Sequence, residues 1–216
     1  MLWNHESMGF EVDVQLKDLI IWEPQPTQVP GLHGSEIVDY LTRAQLYFKN
    51  FPFDHVVILS GLHLTRQGNA LAGLAYLGAY CTSYSISVVN AHPDKLWLGR
   101  IVAHELGHSM GICHDGEFGC NNLAKTCSPD KFLMGSSVAT SSTWSVCSKA
   151  QVLAFLDRLD RQENNCLLKS AANQKLDFAT RLPGQLMAPE HQITAAIGTC
   201  AQHDKHAQNG VCNKVI

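Results

Sequence analysis

From His104 to Asp115 the chain reads HELGHSMGICHD. Histidines four residues apart share one face of a helix, so His104 and His108 can aim both imidazoles at one ion. Glu105, one residue on, is rotated by about 100° on the 3.6-residue period and can approach a metal-bound water without ligating the metal. Gly111 can take a positive φ and end the helix. The turned chain then brings in His114 as a third nitrogen. Three neutral imidazoles leave one position open on a tetrahedral zinc, as a catalytic site requires. Zinc held there acidifies a water and polarises a carbonyl. Glu105 is then placed to take the water's proton and pass it to a leaving amine. The chemistry these residue types and spacings support is metal-assisted hydrolysis of a peptide bond.

Such a triad needs a helix, a turn and a supporting layer. The stretch from Leu96 to Met110 predicts the motif helix. His55 to Leu59 predicts a short buried strand closed by Gly61, and Ala70 to Gly78 and Ile86 to Val89 predict two more, joined by a loop that holds Cys81. Phe10 to Trp22 alternates and then turns continuously apolar, which predicts a strand, ended by Pro24, Pro26 and Pro30. Ser35 is the expected cap of a helix running to about Lys49, with Ile37, Val38, Leu41, Ala44, Leu46 and Phe48 partly on one face. Cys113 to Ser142, rich in Gly, Ser, Asn and Cys, predicts irregular chain that needs cross-links, and Ser148 to Gln162 returns to helical spacing. Strands alternating with helices favour a mixed α/β (α+β) layer with the motif helix packed beneath the sheet.

The bulk properties agree. A chain of 216 residues, 45% hydrophobic and 16% charged, supports one sizeable domain or a domain with a small appendage. A net charge of -3 and a pI near 6.4 give no electrostatic basis for binding nucleic acid or an anionic membrane. No apolar run reaches the length of a membrane span. The eight cysteines lie at 81, 113, 120, 127, 147, 166, 200 and 212 without a C-x-x-C pair. That favours a disulfide framework in an oxidising compartment over reduced thiols or a zinc ribbon. Met1 to Phe10 is mixed polar and does not read as a secretion signal, so a fragment or a wrongly assigned start is expected at this end. His5, His33, His55, His63, His92, His191, His203 and His206 lack ligand spacing and are read as solvated or structural.

HExxHxxGxxHD fixes six positions, and Met134 within FLMGSS follows His114 by twenty residues. The extended histidine pattern with a downstream Met-turn is the metzincin signature, and Met134 is the expected hydrophobic floor of the site. Asp115 after the third histidine, ILSGLHL (Ile58 to Leu64), GLAYLGAYC (Gly73 to Cys81), WSVCS (Trp144 to Ser148) and ENNCLL (Glu163 to Leu168) together make the chain resemble the reprolysin-type (adamalysin-like) metalloproteases of the ADAM and ADAM-TS families, over roughly Gly9 to Cys166. The resemblance implies a metzincin-like catalytic domain over 1–168, with a twisted mixed sheet over the zinc-binding helix and without the family's first strand and helix. LPGQLMAPEHQITAAIGTC (Leu182 to Cys200) resembles the start of a disintegrin-like module, so 169–216 is expected to be a partial, cysteine-containing C-terminal segment.

The resemblance further implies a zinc cofactor, protein or peptide substrates, secretion, a monomeric state and a Cys81–Cys166 disulfide. It also implies a peptide bound antiparallel to an edge strand at Gly73, Leu74 and Ala75, where unpaired backbone groups would receive it. Cys113, Cys120, Cys127 and Cys147 would form two more bridges in one of three connectivities, and Cys200 and Cys212 pair with each other or with residues outside this chain. For the family's calcium ion, Asp54 and the Cys166 carbonyl match two ligands, while Lys169 stands where an Asn is usual and would repel the cation. The alternative reading is an inactive, truncated binding or adhesion module. A cytosolic metallo-hydrolase would instead require free thiols.

Overall fold

Apolar side chains at Ile37, Tyr40, Leu41, Ala44 and Phe48 recur at the spacing of one helical face, and the chain there forms helix α1 (Ile37–Phe48). The computed structural model describes residues 2–21, 36–136, 141–163 and 165–168. Ser35, the expected cap, lies outside them; Glu36 occupies the N-cap without a side-chain capping bond.

Five short strands follow: β1 (Val56–Ser60), β2 (Thr65–Arg66), β3 (Asn69–Ala70), β4 (Gly73–Ala75) and β5 (Ile86–Asn90). β5 is central. It pairs in parallel with β1, Val56 opposite Ile86, and antiparallel with β4, Gly73 opposite Val89. β2 and β3 form a separate two-stranded hairpin. The strand expected over Ala70 to Gly78 is therefore broken and short. Asn90 at the end of β5 organises the chain before β4: its amide donates to the carbonyls of Leu64 and Leu71 and accepts from the Leu64 N–H.

Alternation along β5 and β4 sends side chains to two layers. Ile86, Val88 and Leu74 pack with Ile37, Tyr40, Leu41, Ala44 and Phe48 of α1. Gly73, beside Val89, faces the other way and meets helix α2 (Lys95–Ser109) through the Glu105 side chain. Asp94 caps α2 by accepting from the N–H groups of Leu96 and Trp97. Helix α3 (Val146–Arg161) starts at Ser145, whose hydroxyl accepts from the Ser148 N–H, and carries Arg158 and Arg161 in its last turn, where cations suit the helix dipole. Ala103, Leu106 and Met110 of α2 share a core with Val152, Phe155 and Leu159 of α3, and with Met134 and Trp144. The result is the expected mixed α+β arrangement with the motif helix beneath a mixed sheet. No described helix is long and apolar enough to cross a membrane.

The strand expected over Phe10 to Trp22 is not formed. Residues 11–21 carry no regular structure, and Trp22 lies outside the described residues. The alternation is used without a ladder: Phe10, Val12 and Val14 pack against the α2–α3 core, while the Val12 N–H is taken by the Asn4 side chain rather than by a neighbouring strand. Before this segment, a short 3-10 helix (Leu2–Asn4) buries Trp3. The Trp3 ring lies 4.3 Å from that of Trp144, whose indole N–H donates to the Leu2 carbonyl and whose backbone N–H donates to Ser7 Oγ.

Three disulfides close the irregular regions. Cys81–Cys166 joins the turn after β4 to the chain after α3, as the family resemblance implied. Cys113–Cys120 and Cys127–Cys147 select one of the three connectivities left open. No cysteine among the described residues is free. Cys200, Cys212, Lys169 and the whole expected segment 169–216 lie outside them.

Candidate metal centre

The motif helix ends in a way that explains its glycine. After Ser109, the N–H of Gly111 donates to the His108 carbonyl and the N–H of Ile112 to the Gly107 carbonyl. Gly111 itself sits at φ +81°, in the left-handed region. These are the paired bonds of a Schellman ending, which wants glycine at that position. The reversed chain then carries His114 back toward the face that bears His104 and His108. The next carbonyls of α2 are also satisfied from the sheet side: Gly78 N–H donates to His108 and Tyr80 N–H to Ser109, which ties the helix end to the chain that follows β4.

The three imidazoles converge. His104 Nε2 and His108 Nε2 lie 3.1 and 3.2 Å from His114 Nε2. Their outer nitrogens are held: His104 Nδ1 is 2.8 Å from the Leu133 carbonyl and His108 Nδ1 is 2.7 Å from the Ile112 carbonyl. A carbonyl only accepts, so each Nδ1 carries the proton and each Nε2 presents a lone pair to the centre. Facing lone pairs repel unless a cation lies among them. A tetrahedral zinc with Zn–N bonds of about 2.0–2.1 Å places ligand nitrogens about 3.3 Å apart, close to the separations seen. The donor set therefore fits zinc. Burial holds the His104 and His108 imidazoles down, to about 4 and about 3, and lowers His114 as well, so all three are neutral ligands near pH 7.

Glu105 is 4% exposed, and its Oε2 has no hydrogen-bond partner among the described residues. Burial pushes its carboxyl up to about 8. The side chain fits against Gly73 at the start of β4: a Cβ there would stand 2.7–2.9 Å from Oε1, Cγ and Cδ of Glu105. Leu74 and Ala75 continue β4, which among the described residues pairs only with β5, leaving its outer edge open.

Met134 is fully buried. A Cβ on Gly107 would stand 2.8 Å from its Sδ, so the fourth motif residue must be small for the Met-turn to pack under the helix. The same turn is tied to both ends of the motif: the Leu133 carbonyl holds His104, and the Met134 carbonyl accepts the Asp115 N–H at 2.8 Å. Asp115, 1% exposed, accepts from Ser145 Oγ at 2.6 Å and so links the third ligand to the cap of α3. Of the calcium candidates, Asp54 offers its main-chain carbonyl to Ser85 Oγ, and Cys166 is bridged to Cys81.

Sequence reasoning missed the two carbonyls that orient His104 and His108, since main-chain groups leave no residue signature. It also missed Glu117, whose side chain returns to His114; its place in a turn three residues after a ligand was the available signal.

Residues 4–171 match the model of the reprolysin (M12B) family zinc metalloprotease. Among curated relatives, the chain is similar to "A disintegrin and metalloproteinase with thrombospondin motifs adt-1" of Caenorhabditis elegans, 28% identical over 90% of this chain and 14% of that protein. It is similar to the human protein "A disintegrin and metalloproteinase with thrombospondin motifs 19", 23% identical over 98% of this chain and 19% of that one. It is also 31% identical to mouse "Disintegrin and metalloproteinase domain-containing protein 1a", over 80% of this chain and 21% of that protein. The chain thus spans between 14% and 21% of the length of these relatives. With most of its length covered by the family match and the histidine triad assembled on the motif that defines it, this chain belongs to the reprolysin (M12B) family of zinc metalloproteases.

Proposed function

We propose that this chain is the catalytic domain of a zinc endopeptidase that cleaves extracellular proteins, and that residues 1–168 form that domain while 169–216 begin a disintegrin-like segment. The observation that carries the reading is the convergence of three Nε2 atoms on a motif whose helix also carries Glu105, a buried side chain with one oxygen, Oε2, lacking a partner among the described residues. His104, His108 and His114 would hold the ion. Zinc, when bound there, supplies Lewis acidity and an acidified water. Glu105 accepts the proton of the attacking water through the oxygen left unpartnered. It returns that proton to the amine nitrogen as the C–N bond breaks, so one water is consumed and two chain ends result. Burial raises the basicity of the Glu105 carboxylate, which strengthens it as an acceptor of the water's proton. The open edge of β4 at Gly73, Leu74 and Ala75 would align an extended substrate by main-chain hydrogen bonds. Met134 would keep the floor of the site dry and fixed.

The test is elemental analysis of the purified chain together with cleavage of a quenched peptide library, with and without chelator. Near-stoichiometric zinc and chelator-sensitive cleavage support the reading. Zinc without cleavage favours the binding or adhesion module instead, and a folded chain that takes up no zinc overturns both the cofactor and the mechanism. Glu105→Gln separates the roles: it is expected to retain zinc and to lose hydrolysis by at least about 10²-fold.

A further inference from the structure

The third histidine differs from the other two in what holds it. His104 and His108 face uncharged carbonyls. His114, whose side chain is 33% exposed, faces a carboxylate. Oε2 of Glu117 sits in the fork between the backbone N–H of His114, at 3.2 Å, and its ring Nδ1, at 3.6 Å. The Glu117 N–H closes the turn by donating to the His114 carbonyl at 3.2 Å. Three contacts therefore join the same two residues, although the longest is an electrostatic approach rather than a hydrogen bond.

We propose that Glu117 is a positioning residue for the third zinc ligand: its carboxylate keeps the His114 ring turned with Nε2 inward and slows release of the ion. This rests on the triad being a zinc site. The physical case has two parts. A carboxylate beside a ring's outer nitrogen attracts that N–H electrostatically, which biases the ring's orientation and raises its basicity as a ligand. His114 is also the ligand on irregular chain beyond the helix end, and the most open to water, so it is the one whose ring would otherwise turn most easily. A negative charge beside a ligand set that is wholly neutral further opposes loss of a dication, with a strength reduced by the 44% exposure of Glu117.

The experiment measures zinc affinity of the full chain by competition with a chromophoric chelator, at low salt and at 1 M salt. Glu117→Gln and Glu117→Ala are compared with wild type and with Glu11→Gln, an exposed carboxylate elsewhere in the chain. Both Glu117 variants are expected to bind zinc about 10-fold more weakly at low salt, with a smaller gap at high salt. The Glu11 variant stays at the wild-type value. A loss in Glu117→Ala alone would make the residue a turn former and overturn the proposal, as would equal affinity in all four proteins. A wild type that binds no zinc removes the proposal together with the reading it rests on, whereas unchanged affinity in a zinc-binding protein removes only the role of Glu117.

Discussion

At Gly73 one missing methyl group decides where the Glu105 carboxylate can rest. All three of the nearest atoms to a Cβ built there belong to the Glu105 side chain, and each lies closer than real Cβ contacts allow. Gly73→Ala is therefore expected to push the carboxylate out of its seat while leaving the imidazoles in place. Zinc content should be retained and kcat should fall by about 10²-fold, the cost of a displacement near 1 Å in a catalytic group; a variant that cleaves at the wild-type rate refutes this account of the glycine. His55 makes a different residue-scale case. Its half-buried ring lies between Ser85 Oγ and Ser87 Oγ, both at 3.0 Å, and stacks on Tyr80. Burial depresses its imidazole to about 3, so it is neutral in the folded protein. The unfolded chain binds that proton from about pH 6.5 downward. The stability contribution is thus full above pH 6.5 and is lost as the pH falls toward 3, by up to a few kcal/mol. Urea unfolding of His55→Gln should show a shallower decline from pH 7 to pH 5 than wild type; identical slopes would show that His55 does not contribute.

At the scale of elements, the turn after α2 matters as much as the helix. Gly111 adopts φ +81°, and a Cβ there would meet Phe155 of α3 at 3.1 Å. Gly111→Ala is expected to cost about 1–2 kcal/mol in backbone strain alone. Because His114 lies just beyond, zinc affinity should weaken in parallel with the melting temperature, and a stability loss with zinc binding intact would separate the two roles. This ending is legible in the sequence, because glycine between two ligand positions has a conformational meaning of its own. The motif helix was legible from its ligand spacing, α1 from a period that matches one buried face, and β1 and β5 as short apolar runs. The stretch from Phe10 shows where periodicity falls short. Phe10, Val12 and Val14 of that alternation pack against the core while Leu16, next in the series, is exposed; a strand also needs a partner for its backbone, and alternation carries no information about that. Trp3 and Met8 were passed over because single apolar residues among polar ones show no period, although both are buried. Within the site, the ligands and the base could be read from spacing, while the orienting carbonyls and the seat at Gly73 depend on tertiary approach.

Across the whole molecule, one cross-link bears on the stability of the catalytic layer. Cys81–Cys166 spans 85 residues and encloses β5, α2, the metal centre and α3 in a single loop. Replacing both cysteines by serine is expected to lower stability by about 2–5 kcal/mol, read as a fall in the urea midpoint with the cooperativity unchanged; a midpoint equal to wild type would show that packing alone closes this loop. The open edge of β4 has a consequence of another kind. A strand edge grips main-chain groups, which every sequence shares, and only side chains at alternate positions can choose among them. A helix or a paired strand has no free main chain to offer. On the proposed reading, then, the bonds this protein cuts in a folded target would be selected first by how readily the surrounding segment unravels, and the target's own local unfolding equilibrium would enter directly into the rate at which it is cut.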